Sequence, residues 1–175
     1  MAELLAVLAV AGVLLAAGAP ELRGLIRTQQ LKAASGDLFS AIGLARAQAL
    51  ARGELVTVLP KGTGGADWTR GWTVFIDRDG DRRPGDGDLI LADHGPLAQG
   101  VSVDFSFTTT APPFYIAYNG AGRSCRDSNP AAARYGTLSL FHGGGIRRIK
   151  INMLGRARSC DPRRDASCDG AAAPP

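Results

Sequence analysis

The chain has 175 residues, of which 45% are hydrophobic and 21% charged, and its formal net charge is +4 at pH 7. This hydrophobic content can fill a single core, so wholesale disorder is excluded, and the length leaves room for one domain with at most an appendage. The 23 glycines and 10 prolines stand between short apolar runs and form no repeat, which excludes collagen-like and low-complexity classes.

The N-terminal part predicts one long helix in two halves. Residues 4–19 are all apolar or glycine, a run slightly shorter than the roughly twenty residues that a helix needs to span a bilayer. Pro20 follows, and we expect a bend there because proline removes a backbone hydrogen bond from a helix. Beyond Pro20, an apolar stripe at helical spacing continues to about Arg52. Its members are Leu31, Ala34, Leu38, Ile42, Ala45 and Ala49.

The rest of the chain predicts strands. Gly53 marks the end of the helix, and the apolar, β-branched run 55–59 predicts a strand that ends before Pro60. Alternating or apolar runs predict further strands at 72–76, 89–92, 101–107, 114–118, 136–141 and 146–153. Asn119-Gly120 and the glycines 143–145 are turn signals. The predicted fold class is therefore α+β, with a long N-terminal helix followed by an antiparallel β-sheet domain.

Three segments together resemble a known family. A Glu-Leu-Leu sequence begins at Glu3, Pro20 follows seventeen residues later, and the amphipathic stretch 38–49 comes next. With the strand 71–77 and its Asp-Gly-Asp loop, the pattern resembles type IV pilins and pseudopilins of the GspH/FimT group. Members of that family lose a leader ahead of the glutamate and are methylated at the new N-terminus. The family's basic leader and cleavage site do not occur in this sequence.

The resemblance implies an organisation and a location. Residues 1–20 would form an apolar helix for the membrane and the pilus core, 21–52 its amphipathic continuation, 53–158 the antiparallel β domain, and 159–175 a flexible tail. The protein would sit in the inner membrane with a periplasmic domain, and would be extracellular once assembled with other major and minor pilin subunits. Glu3 and Pro20 are the assembly residues, because the family glutamate compensates the amino terminus of an adjacent subunit.

Catalytic and metal chemistry lack a recognisable pattern. The loop 77–88 carries alternating aspartates, but Arg82 stands where a calcium loop of the EF-hand kind needs glycine, so the sequence favours a solvated hairpin loop. His94 and His142 lie far apart, and neither belongs to a metalloprotease or hydrolase motif. We therefore predict no metal, no cofactor and no enzymatic activity.

Cysteine usage favours an oxidising compartment. Cys125, Cys160 and Cys168 form no CxxC pair, and no histidine stands at zinc-ligand spacing, so one disulfide with one remaining thiol is the expected arrangement. The sequence predicts that Cys160 is bridged, either to Cys125 or to Cys168.

The positive charge is concentrated in the last third of the chain. Residues 120–175 hold ten basic and four acidic side chains, net +6, whereas residues 1–119 hold ten basic and twelve acidic, net −2. On the strand 146–153, alternation predicts that Ile149, Ile151 and Met153 face the core while Arg148 and Lys150 face outward. If the chain stays extended past Gly155, the next two arginines point to one side about 7 Å apart, a spacing that suits neighbouring phosphates.

The Gly-Arg-x-Arg sequence 155–158 resembles the FimT branch of the family, which is associated with DNA capture in natural transformation. We therefore expect sequence-independent binding of extracellular DNA during DNA uptake in competence. The expected contacts are Arg156, Arg158, Arg148, Lys150, Arg147, Arg163 and Arg164. The alternative is a structural tip pseudopilin, GspH-like, of a type II secretion system, in which the basic residues form a solvated edge that discourages aggregation.

Overall fold

The computed structural model describes residues 2–109 and 111–175, with the side chains of residues 2–20 described only at Glu3 and Val7. A single helix, α1, runs from Ala2 to Arg52. It passes through Pro20, whose side chain lies outside the described part, as do most side chains of the predicted apolar run. No helix in the described part of the chain combines the length and the apolar composition needed to cross a membrane.

The second half of α1 is amphipathic, as predicted. All six residues of the predicted apolar stripe are buried, and Ala41 joins them, because side chains three and four positions apart share one face of a helix. The helix ends where Gly53 adopts a φ of 69° and donates its N–H to the Ala49 carbonyl at 2.9 Å, a conformation that glycine adopts without steric penalty.

Nine strands follow the helix in the described part of the chain, and the α+β class is confirmed. They are β1 Val56–Pro60, β2 Trp72–Ile76, β3 Leu89–His94, β4 Ser102–Phe107, β5 Ile116–Tyr118, β6 Ser124–Cys125, β7 Gly136–His142, β8 Gly145–Ile151 and β9 Ala157–Cys160. They form two antiparallel sheets with the strand orders β3-β2-β1-β5-β6 and β4-β7-β8-β9. Strands β6 and β9 were not predicted from the sequence.

Both sheets pack on the buried stripe of α1. Val58 and Trp72 of the first sheet and Leu138 and Ile149 of the second share one hydrophobic cluster with the helix. A smaller cluster lies on the other face of the first sheet and includes Phe75. Strand β2 is consequently buried on both faces.

The β7–β8 hairpin turns at Gly143 and Gly144, whose φ angles of 54° and 80° fit a two-residue turn of the kind that glycine favours. Strand β8 lies between β7 and β9, so the basic strand is an interior strand and not the solvated edge that the structural alternative assumed. Because β8 ends at Ile151, the alternation does not reach Met153, which is 54% exposed and not in the core as expected.

Candidate nucleic-acid interface

The Gly-Arg-x-Arg sequence spans the end of the turn between β8 and β9 and the first two residues of β9. Asn152 organises this turn: its side-chain oxygen accepts from the N–H of Leu154 at 3.1 Å and of Arg156 at 2.9 Å, and its carbonyl accepts from Gly155 N–H at 2.9 Å. The chain therefore reverses at Gly155 and returns along β8. Past Gly155 the chain is extended again from Ala157 onward, but as a new strand that runs back along β8, and Arg156 is exposed at the end of the turn.

This turn packs closely against the loop between β5 and β6. Gly155 is buried with a φ of 79°, and a Cβ there would overlap the carbonyl oxygen of Gly122 and lie 3.0 Å from the amide nitrogen of Ser124. Arg46 of α1 donates from Nε to that same Gly122 carbonyl at 3.0 Å. The contact places the exposed Arg123 on a segment that touches the Gly-Arg-x-Arg turn.

Two residues of this interface were missed by the sequence analysis. Arg46 lies on the helix and Arg123 in a loop, more than thirty positions before the Gly-Arg-x-Arg sequence, so no local spacing connects them to it. The clustering of positive charge after residue 120 was the one signal that included Arg123.

The predicted contact residues have different surroundings. Arg156 and Arg164 are exposed, and within the described residues neither has a carboxylate within ion-pair distance. Arg163 is also exposed and donates to the Gly144 carbonyl at 2.7 Å.

Three other predicted contacts are paired with carboxylates of the C-terminal segment. Arg158 bonds to Asp165 at 3.0 Å. Lys150 forms an ion pair with Asp169 and donates to the Ser167 carbonyl at 3.2 Å.

Arg147 is the third, and it forms an ion pair with Asp161. Partial burial acts to raise the pKa of the Asp161 carboxyl, but hydrogen bonds from the Arg163 N–H and the Arg147 guanidinium, with the charges of Arg147 and Arg164, outweigh it and leave the pKa below its usual value. Asp161 is therefore a carboxylate at neutral pH.

Arg148 is buried, with 6% exposure. Its guanidinium donates to the carbonyls of Cys168, of Ala171 at 2.6 Å and of Gly170 at 3.4 Å. Alternation placed it correctly on the same face of β8 as Lys150, away from the core. The expectation that Arg148 lies open for DNA is wrong for this conformation, because the C-terminal segment covers it.

The C-terminal segment is tied to the sheet and differs from the flexible tail expected for residues 159–175. Strand β9 crosses the boundary drawn at residue 158, and a disulfide joins Cys160 to Cys168 with a Cα–Cα distance of 5.9 Å. Of the two pairings that the sequence left open, the structure has this one. Cys125 is a buried free thiol, and burial, followed by the charge of Asp127, raises its pKa to about 11.

The remaining candidate positions lie elsewhere. Glu3 is exposed in the first turn of α1. In the loop between β2 and β3, Asp77, Asp79, Asp81 and Asp88 bring one oxygen each to within 4.8 Å of the others. These carboxylates also accept backbone N–H groups of their own loop, as Asp77 does from Gly80 at 2.8 Å, which is the behaviour of a polar turn.

The family model for the type II transport protein GspH matches residues 34–155, which is more than half of the chain. The chain belongs to the GspH family. It is a minor pilin or pseudopilin of the GspH/FimT type, and proteins of these families are structural filament subunits that assemble with other pilin subunits and are not enzymes. No curated protein matches the sequence.

Solved structures show the same fold as this GspH-family chain. The type IV minor pilin FimU of Pseudomonas aeruginosa aligns with a TM-score of 0.53 and 17% identity, over 75% of this chain and 88% of that one. The minor pseudopilin EpsH from the type 2 secretion system of Vibrio cholerae aligns with a TM-score of 0.53 and 18% identity, over 76% and 98%. At such identities the likeness concerns the fold alone.

Proposed function

We propose that this GspH-family protein is a minor pilin of a type IV pilus that binds extracellular DNA without sequence preference during DNA uptake for natural transformation. It is held at the inner membrane with its β domain in the periplasm, and it is extracellular when assembled in the pilus. The DNA contacts are Arg156, Arg158, Lys150, Arg147, Arg163 and Arg164, and Arg123 joins them.

One observation carries this proposal. The close packing of Gly155 on Gly122 holds the exposed Arg156 and the exposed Arg123 on two touching segments, and neither side chain has an ion-pair partner among the described residues. Exposed, unpaired guanidinium groups on a fixed backbone can each bind a phosphate. Phosphate contacts do not depend on the base sequence. The excess of positive charge after residue 120 supports the same partner, because it attracts a polyanion.

The test is a fluorescence-anisotropy titration of the full chain, kept in solution with a mild detergent, against two unrelated duplexes of equal length. Each phosphate contact contributes about −0.9 to the slope of log K against log salt, so Arg156→Gln is expected to flatten the slope by about one unit for both duplexes. Arg158→Gln is expected to do less, since Arg158 already has Asp165 as a partner.

The matched control is the double variant Arg78→Gln/Arg83→Gln. Both arginines are exposed but lie in the aspartate-rich loop 77–88, whose field repels a polyanion. Their replacement removes more charge than Arg156→Gln and is expected to change affinity less. If Arg156→Gln and the control change the slope equally, Arg156 makes no phosphate contact.

A second function is favoured by a different observation. Arg147, Lys150 and Arg158 are already neutralised by carboxylates of the same chain, which suits a structural tip pseudopilin of a type II secretion system that binds no DNA. This alternative predicts no measurable DNA binding at any salt concentration.

A further inference from the structure

The C-terminal segment, residues 161–171, follows the edge strand β9, and from Asp165 onward it lies on the outer face of the second sheet, the face opposite α1. Cys168 is 2% exposed, and a Cβ on Gly170 would lie 2.8 Å from Arg148 Nε and 3.0 Å from Ser139 Oγ. Arg148 and Ser139 are cross-strand partners on β8 and β7. The segment thus forms a second layer on strands that would otherwise face solvent.

This segment presents negative charges at regular intervals, as a phosphate backbone does. Asp161, Asp165 and Asp169 follow one another at intervals of four residues, and each pairs with a different cation of β8 or β9. The fourth cation, Arg148, receives backbone carbonyls instead of a carboxylate. The segment therefore occupies all the cations of these two strands that lie outside the turn.

The packing around this segment leaves buried polar atoms without hydrogen-bond partners. Arg148 Nε, Ser139 Oγ and Asp104 Oδ2 are buried without a hydrogen-bond partner among the described residues. The register places these three residues in one row across β4, β7 and β8. Buried polar groups without partners oppose the closed arrangement, and opening would return Arg148 Nε and Ser139 Oγ, which lie beside Gly170, to water.

From these contacts we infer that residues 161–171 are a displaceable acidic cover, which competes with the phosphates of DNA for Lys150, Arg158 and Arg148. This inference rests on the proposed DNA binding and names its regulation. In the closed form DNA reaches the exposed arginines Arg123, Arg156, Arg163 and Arg164, and in the open form it also reaches the outer face of β8. The bridge from Cys160 ties Cys168 to the edge strand, so it holds the cover closed most firmly beside Arg148.

The first test removes the carboxylates of the cover. In the full chain, Asp165→Asn/Asp169→Asn is expected to tighten duplex binding about tenfold, and to steepen the salt slope by up to two units, because two more cations become available to phosphates. The control Asp79→Asn/Asp86→Asn makes the same change in net charge on the loop 77–88, and it is expected to change affinity less than about twofold.

The second test loosens the cover without changing charge. Cys160→Ser/Cys168→Ser is expected to tighten duplex binding in the same direction as the aspartate variants. Hydrogen exchange of the wild-type chain, measured by mass spectrometry, is expected to become faster in residues 161–171 when duplex is added, although a binding surface normally becomes slower.

The outcomes separate the two proposals. If duplex binds, the aspartate variant matches its control and exchange of the cover does not increase, the cover inference is wrong while DNA binding stands. If duplex binds the wild type and binds the variants with a loosened cover more tightly than their controls, and exchange of the cover increases, both proposals are supported. If no form of the chain binds duplex, the proposed function is wrong, and the cover inference is wrong as well.

Discussion

Lys150 and Arg158 lie directly opposite each other on β8 and β9, and both donate to the carbonyl oxygen of Ser167. Like charges at opposing positions destabilise a strand pair. Here Asp169 and Asp165 each neutralise one of the two cations. The stability of the β8–β9 pair is therefore coupled to the protonation of the C-terminal segment.

This coupling predicts a pH dependence for Asp165. Hydrogen bonds from the Ser167 hydroxyl and N–H, and then the charges of Arg158 and Lys150, lower the pKa of its carboxyl below the ordinary 3.8. A carboxyl whose pKa is lower in the folded state adds stability above its unfolded pKa, and this stability is lost as the pH falls through the folded pKa. Asp165→Asn is therefore expected to lower the melting temperature at neutral pH. The difference in melting temperature between this variant and the wild type is expected to become smaller below pH 3.8.

The measurement is a series of thermal melts of the wild type, Asp165→Asn and Asp86→Asn between neutral pH and the acid limit of solubility. Asp86 is exposed and makes no ion pair among the described residues, so its variant is expected to follow the wild type throughout. A constant difference between wild type and Asp165→Asn across the whole range would contradict the coupling.

The local parts of the fold were predictable from the sequence. The spacing of the buried residues of α1 and the β-branched runs of β1 and β8 depend on neighbours within one element. Strands β6 and β9 have two and four residues and no β-branched side chain, and they exist because longer strands pair with them. The division into two sheets also depends on long-range packing, which no local pattern contains.

The candidate site was predictable in charge but not in geometry. The excess of basic residues after position 120 is a property of composition, and it remains in the structure. The pairing of Arg158 with Asp165 depends on the reversal at Gly155 and on the disulfide, which together bring the C-terminal segment back over β8. Alternation assigned the correct face to Arg148 but gave no sign that another segment covers that face.

The close packing of Gly155 predicts a large cost for a side chain. Gly155→Ala places a Cβ at a φ of 79° and against the Gly122 carbonyl. The left-handed conformation costs about 1–2 kcal/mol for a residue with a Cβ, and the overlap adds about 1–3 kcal/mol. The free energy of unfolding, measured by denaturant titration, is expected to fall by the sum of these two costs.

Gly144→Ala is the matched control, because Gly144 has a φ of 80° and no atom within 4 Å of an added Cβ. Its free energy of unfolding is expected to fall only by the cost of the left-handed conformation, about 1–2 kcal/mol. Equal losses in the two variants would mean that the contact between Gly155 and Gly122 does not constrain the turn.

Cys125 is predicted to be an unreactive thiol. Since its pKa is about 11, about one molecule in a thousand carries the reactive thiolate at pH 8, and burial limits access further. Labelling with a thiol reagent is expected to be at least about 100-fold slower in the native chain than in denaturant. Denaturant without reductant is expected to expose one thiol. Three reactive thiols in periplasmically expressed protein would contradict the Cys160–Cys168 bridge.

Glu3 offers a test of assembly that is independent of DNA. It is exposed in the first turn of α1, and a carboxylate that enters an apolar filament core is costly unless it finds a partner there. We therefore predict that Glu3→Ala leaves the β domain folded but lowers the amount of the protein in sheared filaments, measured by immunoblot against the cell-bound fraction. Glu21→Ala, on the same helix and also exposed, is the control and is expected to assemble normally. Equal recovery of both variants would show that Glu3 is a solvated helix start, favoured only by the positive end of the helix dipole.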